Sequence, residues 1–156
     1  MGVDLQICRA DISLAAAMAP KMRESDAAEV WASGGHTPHD ALIASVQWSA
    51  QAYAAQFNGD LGAIFGVGPA SFLSNVGIPW LLGTPVLHQY PSAFHKASRG
   101  FLAAWLDEYA SLEQMVDSRN EKSLRWLSRL GFTVEAPTLW GYEGRPFHRV
   151  HIGRGS

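Results

Sequence analysis

Three groups of polar residues at helical spacing are where this chain could do chemistry. Asp26 and Glu29 lie three apart in a helix-forming stretch, so they share a helix face. Two such carboxylates repel each other. A carboxylate among apolar neighbours is also pushed toward neutral pH, where it can accept a proton as a general base. Glu29 is the candidate for that role, and the competing reading is a solvated charged face. Asn120 and Ser123 repeat the spacing of three on a second helix. Asn120 either offers its amide to a ligand or simply caps that helix after Arg119. Lys96 and Arg99, then Arg119, Lys122, Arg125 and Arg129, gather in the second half of a chain whose net charge is −2. This allows a local anion site, while the slightly acidic total leaves no footprint for general nucleic-acid binding.

Other reactive types are poorly placed. Of the six histidines, His148 and His151 are three apart in a strand and so face opposite ways. With no cysteine partners for them, no metal site is expected. Cys8 is the only cysteine, which leaves no disulfide framework, and the alternation around it predicts a core position. Ser98 has no His–Asp pattern nearby that would make it a nucleophile.

The elements that must position these residues can be read from periodicity and punctuation. Val3 to Arg9 alternates as a strand. A helix capped by Asp11 or Ser13 runs toward Met22, disturbed by Pro20. A second, capped by Ser25 or Asp26, stops at Gly34 and Gly35, and a third opens at Thr37 and Pro38. Ser49 to Phe57 alternates loosely, and Gln51–Phe57 and Leu61–Val67, joined by Asn58–Gly59, predict an antiparallel hairpin. Gly77–Gly83 is apolar enough for a central strand, with Pro79 marking its start or an irregularity. Phe94–Tyr109 is amphipathic and helical, opened by Pro91 and Ser92. Leu112–Val116 is a strand, Asn120–Leu130 a helix ended by Gly131, and Phe132–Ala136 and Phe147–Ile152 are strands joined by a turn at Gly141 to Gly144. The result is a mixed α/β fold, mostly antiparallel in front, with helical crossovers making parallel pairs behind.

Length and composition agree with this. At 156 residues, 47% apolar and 17% charged, the chain predicts one globular domain over 1–156. Six tryptophans imply extensive aromatic packing or a buried contact surface. No apolar run approaches the roughly 20 residues of a membrane span, and no charged-then-apolar leader pattern opens the chain, so a soluble cytosolic location is expected.

The segment Asn120 to Phe132 carries a resemblance. Asn120, a small residue three on at Ser123, and Gly131-Phe132 at eleven and twelve resemble the penultimate helix of GNAT acyltransferases. The resemblance extends from Leu5 to Ile152 and implies a mixed, mostly antiparallel sheet flanked by helices, with a splayed pair of central strands that holds acyl-CoA. It implies an acyl-CoA-dependent N-acyltransferase using acetyl-CoA and an amine. Backbone groups at Leu82, Gly83 and Thr84 would meet the pantetheine, unless Trp80 to Thr84 is a plain core strand. Lys96 and Arg99 would neutralise the pyrophosphate, Asn120 and Ser123 would position the cofactor, and Glu29 would accept a proton. Met22 to Glu29, Trp80 to Thr84, Ser98–Arg99 and Asp117 to Leu130 are similar, more narrowly, to the GNAT-related internal virion proteins of short-tailed phages. That implies a phage-encoded protein, host cytoplasm or virion as its location, and other virion proteins as partners.

Two departures matter. The stretch His88 to Gly100 lacks the Gln/Arg-x-x-Gly-x-Gly/Ala loop that cradles a pyrophosphate. Leu127 stands seven residues after Asn120, where many GNAT enzymes have a proton-donating Tyr. They motivate an alternative: a catalytically degenerate GNAT-fold virion or assembly protein.

Overall fold

A computed structural model describes residues 2–155. The chain runs β1 (Leu5–Arg9), α1 (Ile12–Met18), α2 (Glu24–Gly34), α3 (Pro38–Trp48), β2 (Gln51–Phe57), β3 (Asp60–Pro69) and β4 (Val76–Gly83). It continues with α4 (Pro91–Glu108), β5 (Ser111–Asp117), α5 (Glu121–Leu130), β6 (Thr133–Val134), β7 (Thr138–Trp140) and β8 (Arg145–Gly153). Tight helical turns precede α2 and α4, at Ala19–Lys21 and Pro85–Gln89. One sheet runs in the order β1-β2-β3-β4-β5-β8-β6, with β7 also paired to β8. Every pairing is antiparallel except β4 with β5. The fold class read from the sequence is the one observed.

Local chemistry sets the boundaries. Asp11 Oδ1 accepts the Leu14 N–H at 2.9 Å and starts α1, and Thr37 caps α3 ahead of Pro38. Asn58 and Gly59 both take positive φ, 50° and 86°, as the tight β2–β3 turn demands. Gly131, at φ 106°, ends α5.

Each face of the sheet has its own core. Phe65, Phe94, Trp105, Val116 and Phe132 pack with the aromatic faces of α4 and α5. Met18, Leu42, Ile64 and Leu82 pack under α1 and α3, with Val30 of α2 and Trp80 against them.

Some elements differ from expectation. Cys8 is exposed and not a core residue. β1 is an edge strand whose Leu5 and Ile7 face the core, which turns Cys8 to the open side. The last hairpin contains β7, absent from the sequence reading because three residues carry no detectable period. Neither Ser25 nor Asp26 caps α2, which begins at Glu24 behind Arg23.

Asp26 is used differently. It is 2% exposed, and its Oδ2 accepts the Gly83 N–H at 2.8 Å and pairs with Arg23 Nη2 at 2.7 Å. The Arg23 N–H donates to Gly83 O at 2.8 Å. Both polar groups of the last β4 residue are therefore held by the start of α2, and the Arg23 side chain is itself only 10% exposed. Removing one partner of a buried pair strands the other. Asp26→Ala is expected to cost about 3–5 kcal/mol in urea unfolding; a loss under about 1 kcal/mol would show that this tie does not hold α2 in place.

Candidate functional site

The site begins where β4 and β5 part. They pair only at Val76–Ser111 and Gly77–Leu112, and then diverge. Pro79 explains the break. The next rung would be donated by residue 79, and proline has no N–H. The following rung, from Met115 N–H to Pro79 O, is spanned by the side-chain amide of Gln114: Nε2 donates to Pro79 O and Oε1 accepts the Met115 N–H, each at 2.8 Å. An inserted amide thus stands where a direct ladder bond would be.

Beyond this plug, the antiparallel alternation decides which backbone groups face the gap. Thr84 N bonds Gly62 O, and Ala70 N bonds Val76 O. Even-numbered β4 residues therefore hydrogen-bond β3, and odd-numbered ones turn toward β5. Pro79 O is taken by Gln114 and Gly83 by Arg23 and Asp26. Leu81 remains: its N–H and C=O point into the gap and meet no partner among the described residues.

On the β5 side, Asp117 N donates to Glu29 Oε1 at 2.8 Å. Glu29 also receives a hydrogen bond from the Asn120 side chain. Burial is the largest influence on Glu29; with the charges of Asp26 and Asp117 it outweighs both hydrogen bonds and raises the carboxyl to about 7. Asp117 goes the other way. Burial pushes it up, but hydrogen bonds from the Arg119 side chain and backbone, with the charges of Arg119 and Arg145, hold it below the ordinary carboxylate range. The Arg119 Nη2–Asp117 Oδ2 pair measures 2.6 Å and shapes the turn that delivers Asn120.

These groups line a cavity of about 280 Å³ that passes through the sheet at the splay. One end is walled by Val30, Trp80 and Trp140 near Asp26 and Glu29, the other by Phe94, Phe101, Trp126 and Leu127. Leu81 and Gln114 lie between.

The sequence candidates divide clearly. Glu29, Asn120, Ser123 and Leu82 line the cavity. Asn120 is buried and makes no side-chain cap bond, so it is not the simple helix cap. The backbone of Leu82, Gly83 and Thr84 is already satisfied, by β3, α2 and Gly62 respectively, and the free peptide groups sit one residue earlier at Leu81. Lys96 and Arg99 are exposed on α4, away from the Phe94, Ser98 and Trp105 face that meets the cavity. Lys122 adjoins Ser123. With Arg23 it acts on His88, which is held below the ordinary imidazole range first by burial and then by those two charges. Gln114 was missed. Its signal was a polar residue in an apolar strand, opposite the strand that carries Pro79. Among the described residues no cluster of three or more His, Cys, Asp or Glu could hold a metal ion. No helix among them is long and apolar enough to cross a membrane.

Solved structures with the same arrangement place this splay in context. RimL, a ribosomal-protein alpha-N-acetyltransferase in complex with coenzyme A, superposes with a TM-score of 0.71 at 12% identity, over 96% of this chain and 93% of its own. yncA from Salmonella typhimurium, solved with its cofactor acetyl-CoA, gives 0.67 at 20% identity, over 97% and 95%. A GNAT-family acetyltransferase from Streptococcus pneumoniae gives 0.68 at 14% identity, over 97% and 100%. The chain has the GNAT fold. No protein-family model matches it. No curated protein matches it either.

The Glu29 environment has a stability consequence. Its folded pKa is raised, so between about 4.5 and about 7 the native state binds the extra proton and stability falls as pH rises. Glu29→Gln keeps an oxygen acceptor for Asp117 N and has no charge to bury. The variant is expected to match the wild type near pH 4.5 and to exceed it at pH 8 by on the order of 3 kcal/mol in denaturant unfolding. A stability difference independent of pH would show that Glu29 is not held protonated.

Proposed function

We propose that this chain is an acyl-CoA-dependent N-acyltransferase, with acetyl-CoA as donor and an amine as acceptor. The observation that supports it most is the unpartnered peptide group of Leu81 in a gap that Glu29 enters from α2. A strand N–H and C=O that both lack partners within the fold are uncommon. The Leu81 C=O suits an amide N–H of the coenzyme A arm, and its N–H is left for the thioester carbonyl at the end of that arm. The apolar wall of Phe94, Phe101, Trp126 and Leu127 suits the rest of the arm.

The donor supplies a thioester carbonyl. The chain's own residues do the rest. Leu81 N–H is available to the carbonyl oxygen, where negative charge develops as the amine attacks. Glu29, poised near neutrality, accepts the proton that the amine must lose. Asn120 and Asp117 N–H fix the Glu29 carboxylate, and Ser123 positions the donor. Lys122, beside Ser123, takes the phosphates, with Lys96 and Arg99 as outer contacts on α4. Leu127 cannot protonate the departing thiolate. Coenzyme A therefore leaves as thiolate and takes its proton from solvent. The open cavity favours this reading over a virion or assembly role in which side chains would fill the cleft.

Acetyl-CoA is expected to titrate saturably by calorimetry; no heat and no thermal shift at millimolar donor would overturn the proposal. In acetyl transfer followed by thiol release, kcat/KM is expected to inflect near pH 7 as Glu29 ionises. Glu29→Gln should bind acetyl-CoA normally, lose that inflection and lower kcat by roughly 100-fold or more. An unchanged profile would remove Glu29 from the mechanism.

A further inference from the structure

We propose that the acceptor is an arylalkylamine: a primary amine joined by a short alkyl linker to an aromatic ring, with no acid group beside the nitrogen. This rests on the acyl-transfer reading and narrows it to one substrate class.

The acceptor end of the cavity is aromatic and held rigid. Trp80 Nε1 donates to Ser49 Oγ at 2.6 Å, which locks its indole. Trp140 packs edge-on against Phe147, with centroids 5.1 Å apart and planes at 61°. Both indoles line the cavity together with Val30 and Met115. Trp140 also reaches the surface at 42% exposure. The same hairpin carries Tyr142, whose ring meets Trp31 in a T-shaped contact at 5.5 Å. The hairpin is clamped onto α2 by Tyr142 N–H to Ser33 O and Glu143 N–H to Ala32 O, each at 3.0 Å. Fixed indole walls favour a flat aromatic body, and their faces attract the incoming ammonium.

The charges select against the two other common kinds of amine. No Lys, Arg or His is among the described residues lining the cavity. Three arginines around it are engaged: Arg23 with Asp26, Arg119 with Asp117, and Arg149 with both Glu113 and Glu135. Arg145, paired with Trp140 across the hairpin, keeps a buried Nε without a partner but does not line the cavity. An amino acid would bring its carboxylate beside Glu29 with no cation to meet it, and burying an unpaired charge is costly. A polyamine would need several carboxylates. The cavity has two, and Asp26 is already neutralised by Arg23, which leaves Glu29 for a single nitrogen.

The test compares tryptamine, tryptophan and spermidine as acceptors for the intact protein with acetyl-CoA, following thiol release. Tryptamine is expected to exceed both others in kcat/KM by about 100-fold or more. Trp140→Ala should raise the tryptamine KM about tenfold while the acetyl-CoA titration stays as in the wild type. Tryptophan equal to or better than tryptamine would overturn the proposal and point to Arg145, whose buried Nε has no partner, as a carboxylate anchor. A preference for spermidine would overturn it as well. If no acetyl transfer occurs with any amine, the acyl-transfer reading fails separately, and ligand-observed NMR decides the cavity's preference. Saturable tryptamine binding that Trp140→Ala weakens supports the proposal, and its absence overturns it.

Discussion

Two carboxylates one turn apart on α2 hold two strands apart. Asp26 accepts the N–H of Gly83 at the end of β4, and Glu29 accepts the N–H of Asp117 at the end of β5. Those donors sit where a parallel sheet would have closed into a ladder. Left without partners inside the protein, each would carry the penalty of a buried, unsatisfied peptide group. Because side chains from a helix satisfy them, the strands can diverge at no such cost, and the space between them stays open. The rest of the site follows from that opening.

The two carboxylates meet burial in opposite ways. Asp26 has a guanidinium against it and serves as a strut to Gly83. Glu29 has none, has two negative neighbours, and answers burial by moving its pKa to about 7. One face of one helix thus supplies both a strut and a proton acceptor. The division depends on a single cation, Arg23, lying three residues before Asp26 and six before Glu29. At the narrow end of the splay Pro79 denies the sheet a rung and Gln114 spans the next. At the wide end Gly83 is capped by α2. Leu81 is the one peptide of this stretch that neither device reaches, so its position is a consequence of both.

Local signals in the sequence translated well into structure. The Asn58–Gly59 hairpin, the Thr37–Pro38 helix start and the Gly131 stop each depend on a few adjacent residues, and each is where it was expected. Asn120 and Ser123 share the cavity-facing side of α5, as their spacing of three required, and the resemblance in that segment pointed to the right fold. What the sequence hid was phase and long-range pairing. Which β4 peptides face the gap depends on register with β3, so the sequence pointed to Leu82, Gly83 and Thr84, whose backbone groups are bonded within the fold, while the unpartnered peptide is that of Leu81. Cys8 follows Ile7 directly, so it falls out of phase with Val3, Leu5 and Ile7, and its strand lies at an edge. The Arg23–Asp26–Gly83 tie joins positions 57 apart in sequence and has no local mark. Lys96 and Arg99 are a different case: counting helical turns from Phe94, Phe101 and Trp105 turns both away from the apolar face, a signal that was available.

The central claim is that the peptide of Leu81 is the vacant rung that the donor fills. Amide NMR of the uniformly labelled protein, titrated with coenzyme A, addresses it directly. The account predicts that the Leu81 N–H resonance shifts downfield and gains protection from hydrogen exchange, while the N–H groups of Leu82, Gly83 and Thr84, already bonded, change little. Saturable binding that leaves Leu81 unperturbed, with the shifts gathered elsewhere, would contradict it.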